Sequence, residues 1–215
     1  LDGTLRSAWV NDPSGNSDEQ YLSLFFPEQA DLNWHNPQVV EAQIDVMRGW
    51  LKRGVDGFRV DVAHTIGKLP NLPDEPMIEG DIDSDVVHSL HHPEVTNVFF
   101  ARMRQVGEEF DGHKVLVGEI CLYDPSKEAE YIGEQLFTST FVFSLQQAGW
   151  NLENVREVIE ETKQHFLDQG KSPTWVLSTH DVPRLSARLG NEARALAMYV
   201  FMLGLPGGAI IYQGD

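Results

Sequence analysis

Apolar residues along the chain alternate between helical spacing and short continuous runs. After Asn36, an N-cap residue, and Pro37 at the first helical position, apolar side chains recur every three or four residues as far as Leu51. The short β-rich run 55–61 then predicts a strand. The order repeats, with helices predicted over 93–110, 127–136, 151–168 and 186–203, and strands over 114–117, 138–145, 174–177 and 208–212. Alternating helices and strands predict βα units around a parallel sheet.

Polar side chains collect where the predicted strands end. Four strands with apolar interiors run into Arg59, Asp61 and His64, into Glu119, into His180 and Asp181, and into Gln213 and Asp215. Because the C-terminal ends of parallel strands meet at one face, that face carries the active site in doubly wound sheets and in (β/α)8 barrels. No glycine-rich phosphate-binding sequence follows any strand, which favours the barrel over a nucleotide-binding sheet.

The amino-acid composition restricts the classes of partner that we expect the chain to bind. The 215 residues include 16 Lys or Arg and 33 Asp or Glu, a formal charge of −17, whereas nucleic acids and anionic membranes call for basic surface. No apolar run reaches the roughly 18–20 residues of a membrane span. We therefore expect a small-molecule partner, and neither nucleic acid nor membrane. The single cysteine, Cys121, excludes an intramolecular disulfide framework and fits a reducing compartment, so we expect a cytoplasmic location.

Three carboxylates at three strand ends, Asp61, Glu119 and Asp181, form the sharpest chemical pattern. Cleavage of a glycosidic bond with retention requires a nucleophilic carboxylate and a protonatable one about 5–5.5 Å apart. Arg59 lies two residues before Asp61, so on a strand both side chains point to the same side and the cation favours the ionised nucleophile. Glu119 is flanked by Gly118 and an apolar residue, and we expect burial to raise its pKa for an acid role.

Short sequences at these positions resemble a known family. Residues 57–64 (GFRVDVAH) resemble the fourth-strand signature of the α-amylase superfamily, glycoside hydrolase family 13. Residues 117–120 (VGEI) and 177–181 (LSTHD) look like its fifth- and seventh-strand signatures, and 205–215 resemble its eighth strand with the preceding turn. Residues 31–34 (DLNW) are similar to the sequence that ends domain B in the oligo-1,6-glucosidase-like branch. The motifs occur in the family's order, which makes the resemblance specific.

The resemblance implies a role for each matching residue. Asp61 would be the nucleophile that forms a β-glucosyl-enzyme, and Glu119 the general acid/base. Asp181 would hold sugar hydroxyls and favour the distorted transition state, Arg59 would orient Asp61, and His180 would donate to a sugar hydroxyl. The family usually has Asn where this chain has Thr179, and its third-strand motif is absent. Neither a metal nor a cofactor is implied.

The branch implies an exo-acting α-glucosidase of short α-glucosides. Val62, directly after the nucleophile, is a residue type that this branch often associates with α-1,6 activity, but the surrounding sequence also resembles maltose-type α-glucosidases, so the linkage stays open. A transglycosylase or sugar isomerase, such as a trehalose- or isomaltulose-forming enzyme, could use the same site. A non-catalytic subunit derived from the family is disfavoured because Asp61, Glu119 and Asp181 are all retained.

The fold implied is an incomplete (β/α)8 TIM barrel that holds the fourth to eighth strands. Residues 1–35 lack a sustained period and are predicted to be mostly loop, the C-terminal part of domain B, and residues 36–215 to be a partial catalytic barrel. Because the chain opens without Met and stops directly after an apolar run, we expect a piece of a longer protein.

The segment from Thr65 to His92 holds more residues than a barrel connection needs, and we predict that it selects the substrate. Other candidates are interpreted as structural: His64 as a buried histidine, and Cys121 as a buried thiol without a basic neighbour. The same structural interpretation applies to three further groups of residues. These are the acidic residues Asp81, Asp83 and Asp85, the histidines His88, His91 and His92, and the tryptophans Trp34, Trp50, Trp150 and Trp175.

Overall fold

A computed structural model describes residues 7–73 and 90–215. Its strands are β1 (Trp9–Asn11), β2 (Gln20–Leu22), β3 (Gly57–Val60), β4 (Val115–Gly118), β5 (Ser139–Val142), β6 (Ser172–Val176) and β7 (Gly208–Ile210). Its helices are α1 (Pro37–Leu51), α2 (Pro93–Glu108), α3 (Pro125–Glu128), α4 (Ser144–Gln147), α5 (Leu152–His165), α6 (Leu185–Leu189) and α7 (Glu192–Leu203). Short 3₁₀ turns cover Ala63–Thr65, Ala129–Tyr131 and Leu167–Gln169.

The strands β3 to β7 form one sheet in which every neighbouring pair is parallel. Their spatial order equals their order along the chain. A doubly wound sheet reverses its strand order at a switch point, whereas a barrel does not. The sheet and its helices therefore form an incomplete (β/α)8 barrel, as the sequence predicts.

The helix α1 begins and ends where the sequence indicates. The Asn36 side chain accepts a hydrogen bond from the Gln38 amide at 3.0 Å, and Pro37 is the first helical residue. The helix then packs its apolar face against α2. The buried residues on that face are Ile44, Met47 and Leu51.

Residues 7–35 contain more structure than predicted. The strands β1 and β2 form an antiparallel hairpin in which Trp9 pairs with Leu22. The turn between them is held by Asp12, whose carboxylate accepts from the Ser14 amide at 2.8 Å and from the Ser17 hydroxyl at 3.0 Å. The rest of the range is irregular, as predicted, and three-residue strands are too short to show an alternating pattern in the sequence.

Two predicted elements differ from the structure, because one helix is divided in two and one strand is shorter than predicted. The helix predicted over 186–203 is divided into α6 and α7 because Gly190 adopts a left-handed conformation with φ of 60°, and Asn191 then caps α7. The strand predicted over 138–145 ends at Val142 and continues as α4. Both residues that follow Val142 are buried, and a continuous apolar run does not distinguish strand from helix.

The helix predicted over 127–136 is mostly absent. In its place α3 occupies Pro125–Glu128, and a 3₁₀ turn follows. The Asp124 side chain caps α3 by accepting from the Ser126 amide at 3.0 Å, so the helix begins two residues earlier than predicted.

The core has an outer layer against the helices and a smaller inner cluster. Adjacent residues of a strand point to opposite faces, and accordingly Val142 and Trp175 pack with the helices while Phe141 and Val176 join Phe143 on the other face. That second face is the inside of the incomplete barrel.

The tryptophans divide between core and surface. Trp175 is buried, and Trp34 packs against Phe99 with ring centroids 5.4 Å apart. Trp50 and Trp150 are about half exposed, contrary to the prediction of core positions, and each carries an arginine over its ring.

Residues 74–89 lie outside the described residues. This range includes most of the predicted substrate-selecting segment, together with Asp81, Asp83, Asp85 and His88.

Candidate active site

Arg59 and the two carboxylates beside it define the centre of the site. Arg59 lies on β3 and Asp61 directly follows that strand, whereas Glu119 follows the neighbouring strand β4. One guanidinium nitrogen, Nη1, pairs with Asp61 and the other, Nη2, pairs with Glu119. The parallel register places Val60 opposite Gly118, so the two carboxylates emerge at the same level of the sheet.

Glu119 is fixed by backbone as well as by side-chain contacts. Its Oε2 accepts a hydrogen bond from the Val62 amide at 2.9 Å. Its own amide donates to the Val60 carbonyl at 3.0 Å, and its carbonyl accepts from Ala63 at 2.8 Å. The acid therefore has one orientation relative to the segment that carries Asp61.

Val62 holds a strained conformation between the two carboxylates. Its φ of 35° lies in the left-handed region, which is costly for a β-branched residue. The conformation directs the Val62 amide at Glu119. Strain of this kind persists where the surrounding contacts over-determine the backbone, and it is typical of functional sites. A sequence pattern does not show this contribution because it comes from a backbone atom.

Glu119 and Asp61 differ strongly in burial. Glu119 is 5% exposed, and burial raises its pKa above the ordinary value, with the Val62 amide and Arg59 opposing and the Asp61 charge adding to the rise. The Asp61 side chain is 74% exposed and ion-paired with Arg59. The two carboxyl groups thus lie in different environments, one buried and one exposed beside a cation. The structure thus agrees with the expectation that burial tunes Glu119.

His180 and Asp181 lie in the connection after β6. Their side chains are largely exposed, with His180 Nε2 3.3 Å from Asp181 Oδ1. Thr179 accepts a hydrogen bond from the Asp181 amide at 3.2 Å through its hydroxyl. Thr179, which occupies the position where the family usually has Asn, thus supports the turn at Asp181.

Cys121 lies two residues after Glu119 and is partly buried. It packs with Phe141 and Phe143 on the inner face. Burial is the main reason that its pKa is raised, and the charges of Glu119, Glu128 and Asp181 raise it further while Arg59 opposes them.

The predicted structural histidines have defined surroundings. His64 is fully buried in the 3₁₀ turn that follows Asp61. His91 lies 3.2 Å from the Tyr131 hydroxyl and 3.5 Å from Glu130, and burial lowers its pKa. In residues 7–73 and 90–215, no three His, Cys, Asp or Glu side chains are grouped as metal ligands.

Comparison with known proteins identifies the family. The profile of the alpha-amylase catalytic domain matches residues 4–215. The chain belongs to the alpha-amylase family. It is 30% identical over 230 residues to an oligo-1,6-glucosidase of Parageobacillus thermoglucosidasius, covering 97% of this chain and 40% of that protein. It is 32% identical over 203 residues to an alpha-glucosidase of Apis mellifera, covering 91% of this chain and 35% of that protein.

A solved structure supports the same alpha-amylase fold. An alpha-glucosyl transfer enzyme superposes with a TM-score of 0.81 at 29% identity, covering 96% of this chain and 41% of that one. The chain thus spans about 40% of the length of the relatives it matches. Among the described residues of this alpha-amylase family member, no helix has the length and apolar character needed to cross a bilayer.

Proposed function

We propose that the chain carries the acid/base and nucleophile of a retaining α-glucosidase that removes terminal glucose from short α-glucosides. In this mechanism Asp61 attacks the anomeric carbon while Glu119 protonates the departing glycosidic oxygen. Glu119 then deprotonates a water molecule, which attacks the β-glucosyl-enzyme and releases Asp61. The observation that carries the proposal is the single guanidinium of Arg59 between exposed Asp61 and buried Glu119.

Arg59 affects the two carboxylates that it contacts in different ways. Beside Asp61 the cation holds the carboxylate of the nucleophile in place through an ion pair. Beside Glu119 it opposes the rise in pKa that burial causes, which keeps the carboxyl able to release its proton. A general acid and base works best when its pKa is close to the working pH. We therefore expect activity to fall at high pH as Glu119 loses its proton.

Asp181 and His180 would hold the sugar. Both side chains are exposed at the same strand-end face, where an Asp carboxylate can accept from two hydroxyls and His180 can donate to one. Contacts of this kind that strengthen in the transition state supply part of the rate acceleration.

The rest of the barrel would come from a longer protein. We infer that residues 36–215 supply the fourth to eighth barrel strands and residues 1–35 the end of domain B, in agreement with the five neighbouring strands and with the 40% coverage of relatives. The expected setting is the cytoplasm.

The proposal is tested with the full-length protein that contains these residues. Asp61→Ala and Glu119→Ala should each lower the turnover of an aryl α-glucoside by several orders of magnitude. Azide should rescue both variants with opposite products, a β-glucosyl azide from Asp61→Ala and an α-glucosyl azide from Glu119→Ala. Asp56→Asn is the matched control, because this exposed carboxylate also lies beside β3. Retention of more than a few per cent activity in Asp61→Ala without azide would show that another group is the nucleophile.

A second candidate function is glucosyl transfer. It is favoured by the similarity to the alpha-glucosyl transfer enzyme, and it uses the same two carboxylates with a sugar in place of water. Incubation with maltose, isomaltose, sucrose and trehalose separates the functions. Free glucose as the main product supports hydrolysis, whereas longer or isomeric glucosides support transfer.

A further inference from the structure

Asp215, in the segment after β7, holds a buried carboxylate that the proposed chemistry does not use. Its side chain is only 3% exposed. Oδ2 accepts a hydrogen bond of 2.6 Å from the Tyr199 hydroxyl on α7, and Oδ1 accepts one of 3.1 Å from Arg184 Nη1. Although burial raises the pKa of Asp215, hydrogen bonds from Tyr199, Ser178 and Arg184 bring it below the ordinary value. The carboxylate therefore acts as an ionised acceptor for two elements.

Arg184 is fitted closely to the segment that contains Asp215. Its guanidinium carbon lies 5.0 Å from the centre of the Tyr212 ring. Gly214 has a left-handed φ of 87°, and a Cβ at this position would lie 2.9 Å from Arg184 Nη2. The absence of a side chain at Gly214 thus permits the close approach of Arg184.

The same network reaches Ser178 at the end of β6. The Ser178 hydroxyl is buried, accepts from the Leu185 amide at 3.1 Å and lies 3.3 Å from the Tyr199 hydroxyl. Burial and the Asp215 carboxylate raise the pKa of Tyr199 to about 12, which keeps its hydroxyl a donor. Ser178 and Arg184 lie at the two ends of the five-residue stretch 179–183, which carries His180 and Asp181.

The Asp181 side chain has few contacts of its own within this stretch. It is 64% exposed, so packing does not immobilise it. Its amide contact to Thr179 stays within the same short stretch. Within the stretch the Pro183 carbonyl accepts a hydrogen bond of 3.0 Å from Arg188 Nε, and the rest of its position is set by what holds its two ends.

We propose that Asp215 is a positioning residue for Asp181, acting through Arg184 and through Tyr199 and Ser178 without touching the substrate. The proposal rests on the α-glucosidase function above. A surface ion pair such as Lys163–Asp168 joins similar groups at 2.7 Å, but its side chains are 62% and 54% exposed and only contribute to local stability. The Asp215 carboxylate differs because its side chain is buried, binds Arg184 directly and reaches Ser178 through Tyr199.

The test compares Asp215→Asn with Asp168→Asn in the full-length protein. Asp215→Asn should lower kcat/KM for an aryl α-glucoside about 10- to 100-fold, because small displacements of a positioned group have effects of this size. Tyr199→Phe, which removes one hydroxyl, should lower it about 2- to 10-fold. Asp168→Asn should leave it unchanged. In an Asp181→Asn background, Asp215→Asn should cause no further loss, because its effect passes through Asp181.

Hydrogen exchange gives a measurement that does not depend on activity. Peptides covering 177–185 should exchange faster in Asp215→Asn and in Tyr199→Phe than in the unaltered protein, and at the unaltered rate in Asp168→Asn. If the unaltered protein hydrolyses no α-glucoside, the proposed function fails while the exchange comparison still decides the positioning role. Unchanged exchange over 177–185 in both variants, or an equal loss of kcat/KM with and without Asp181, would overturn the proposal.

Discussion

Glu128, the last residue of α3, carries a carboxyl group with no exposed surface. Burial raises its pKa well above the ordinary value and the charge of Asp124 adds to this, whereas the amides of Tyr123 and Asp124 oppose it. Neither carboxyl oxygen has a hydrogen bond of good geometry within the described residues. An isolated buried charge is costly, so the folded protein favours the protonated acid.

This environment predicts how Glu128→Gln changes stability with pH. Because the folded pKa lies above the unfolded one, the neutral acid contributes stability that is fully present below the unfolded pKa and is lost as pH rises through the folded pKa. Glutamine has no such loss. In the full-length protein, the variant should match the unaltered form near pH 4 and exceed its unfolding free energy at pH 8, as measured by urea denaturation.

Glu134→Gln is the control for this comparison, since Glu134 is exposed. It should leave the difference between pH 4 and pH 8 unchanged. Equal pH dependence in Glu128→Gln and the unaltered protein would show that Glu128 is ionised in the folded state.

At the site, the sequence predicts side chains better than backbone. Arg59 and Asp61 could be paired from their spacing of two on a strand, and Glu119 from its position at the next strand end. The Val62 amide could not be predicted, because its direction depends on a left-handed φ that Val rarely adopts. The Asp215 network was also missed, since only the fold brings residues 178, 184, 199 and 215 together.

Among the helices, α5 depends on its capping residue. The Asn151 side chain accepts from the Glu153 amide at 2.9 Å and from the Asn154 amide at 3.3 Å. In the full-length protein, Asn151→Ala should lower the unfolding free energy measured by urea denaturation by about 1 kcal/mol, because both amides lose their acceptor. Asn16→Ala serves as the control, since this exposed Asn lies outside any helix. A loss no larger than that of the control would contradict the capping role.

Helix bounds were predicted accurately where the sequence marks the end of the helix with a specific residue. The helices α1 and α2 begin at Pro37 and Pro93, as the sequence indicates, because proline at the first helical position marks a helix start locally. The division at Gly190 was missed because the apolar period continues across it. The strands β3 to β7 were found as short apolar runs, but their pairing required the fold.

The segment from Thr65 to His92 gives a prediction about linkage. Its beginning is fixed by Lys68, whose Nζ lies 2.6 Å from Asp31 and 2.9 Å from the Thr65 carbonyl. Exchanging residues 69–90 for those of the oligo-1,6-glucosidase or alpha-glucosidase relative keeps this anchor and should shift the isomaltose-to-maltose ratio of rates. The same exchange of residues 109–114, at the opposite end of β4, should not shift it. An unchanged ratio after the first exchange would exclude a selecting role.

Both edges of the whole five-stranded sheet are open in the described residues. At one edge all three residues of β7 are exposed, and α7 exposes Leu196, Val200 and Leu203. At the other edge an open groove of about 620 Å³ runs beside β3, lined partly by Val46 and Trp50 of α1. Unpaired strand edges and contiguous apolar surface both promote association between chains.

The final prediction is that residues 1–215, produced alone, aggregate and do not hydrolyse an aryl α-glucoside. The formal charge of −17 opposes association, but at 0.15 M salt the screening length is about 8 Å, so repulsion acts only at close range and the open edges dominate. The apparent molar mass measured by light scattering should therefore rise with protein concentration and with added salt. Thermal unfolding should lack a sharp transition. The full-length protein, measured beside it, should be monodisperse and active, because a closed barrel needs about 250 residues and leaves no strand edge. A soluble monomer of residues 1–215 with cooperative melting and measurable turnover would show that the five strands close on themselves and that the missing barrel strands were wrongly inferred.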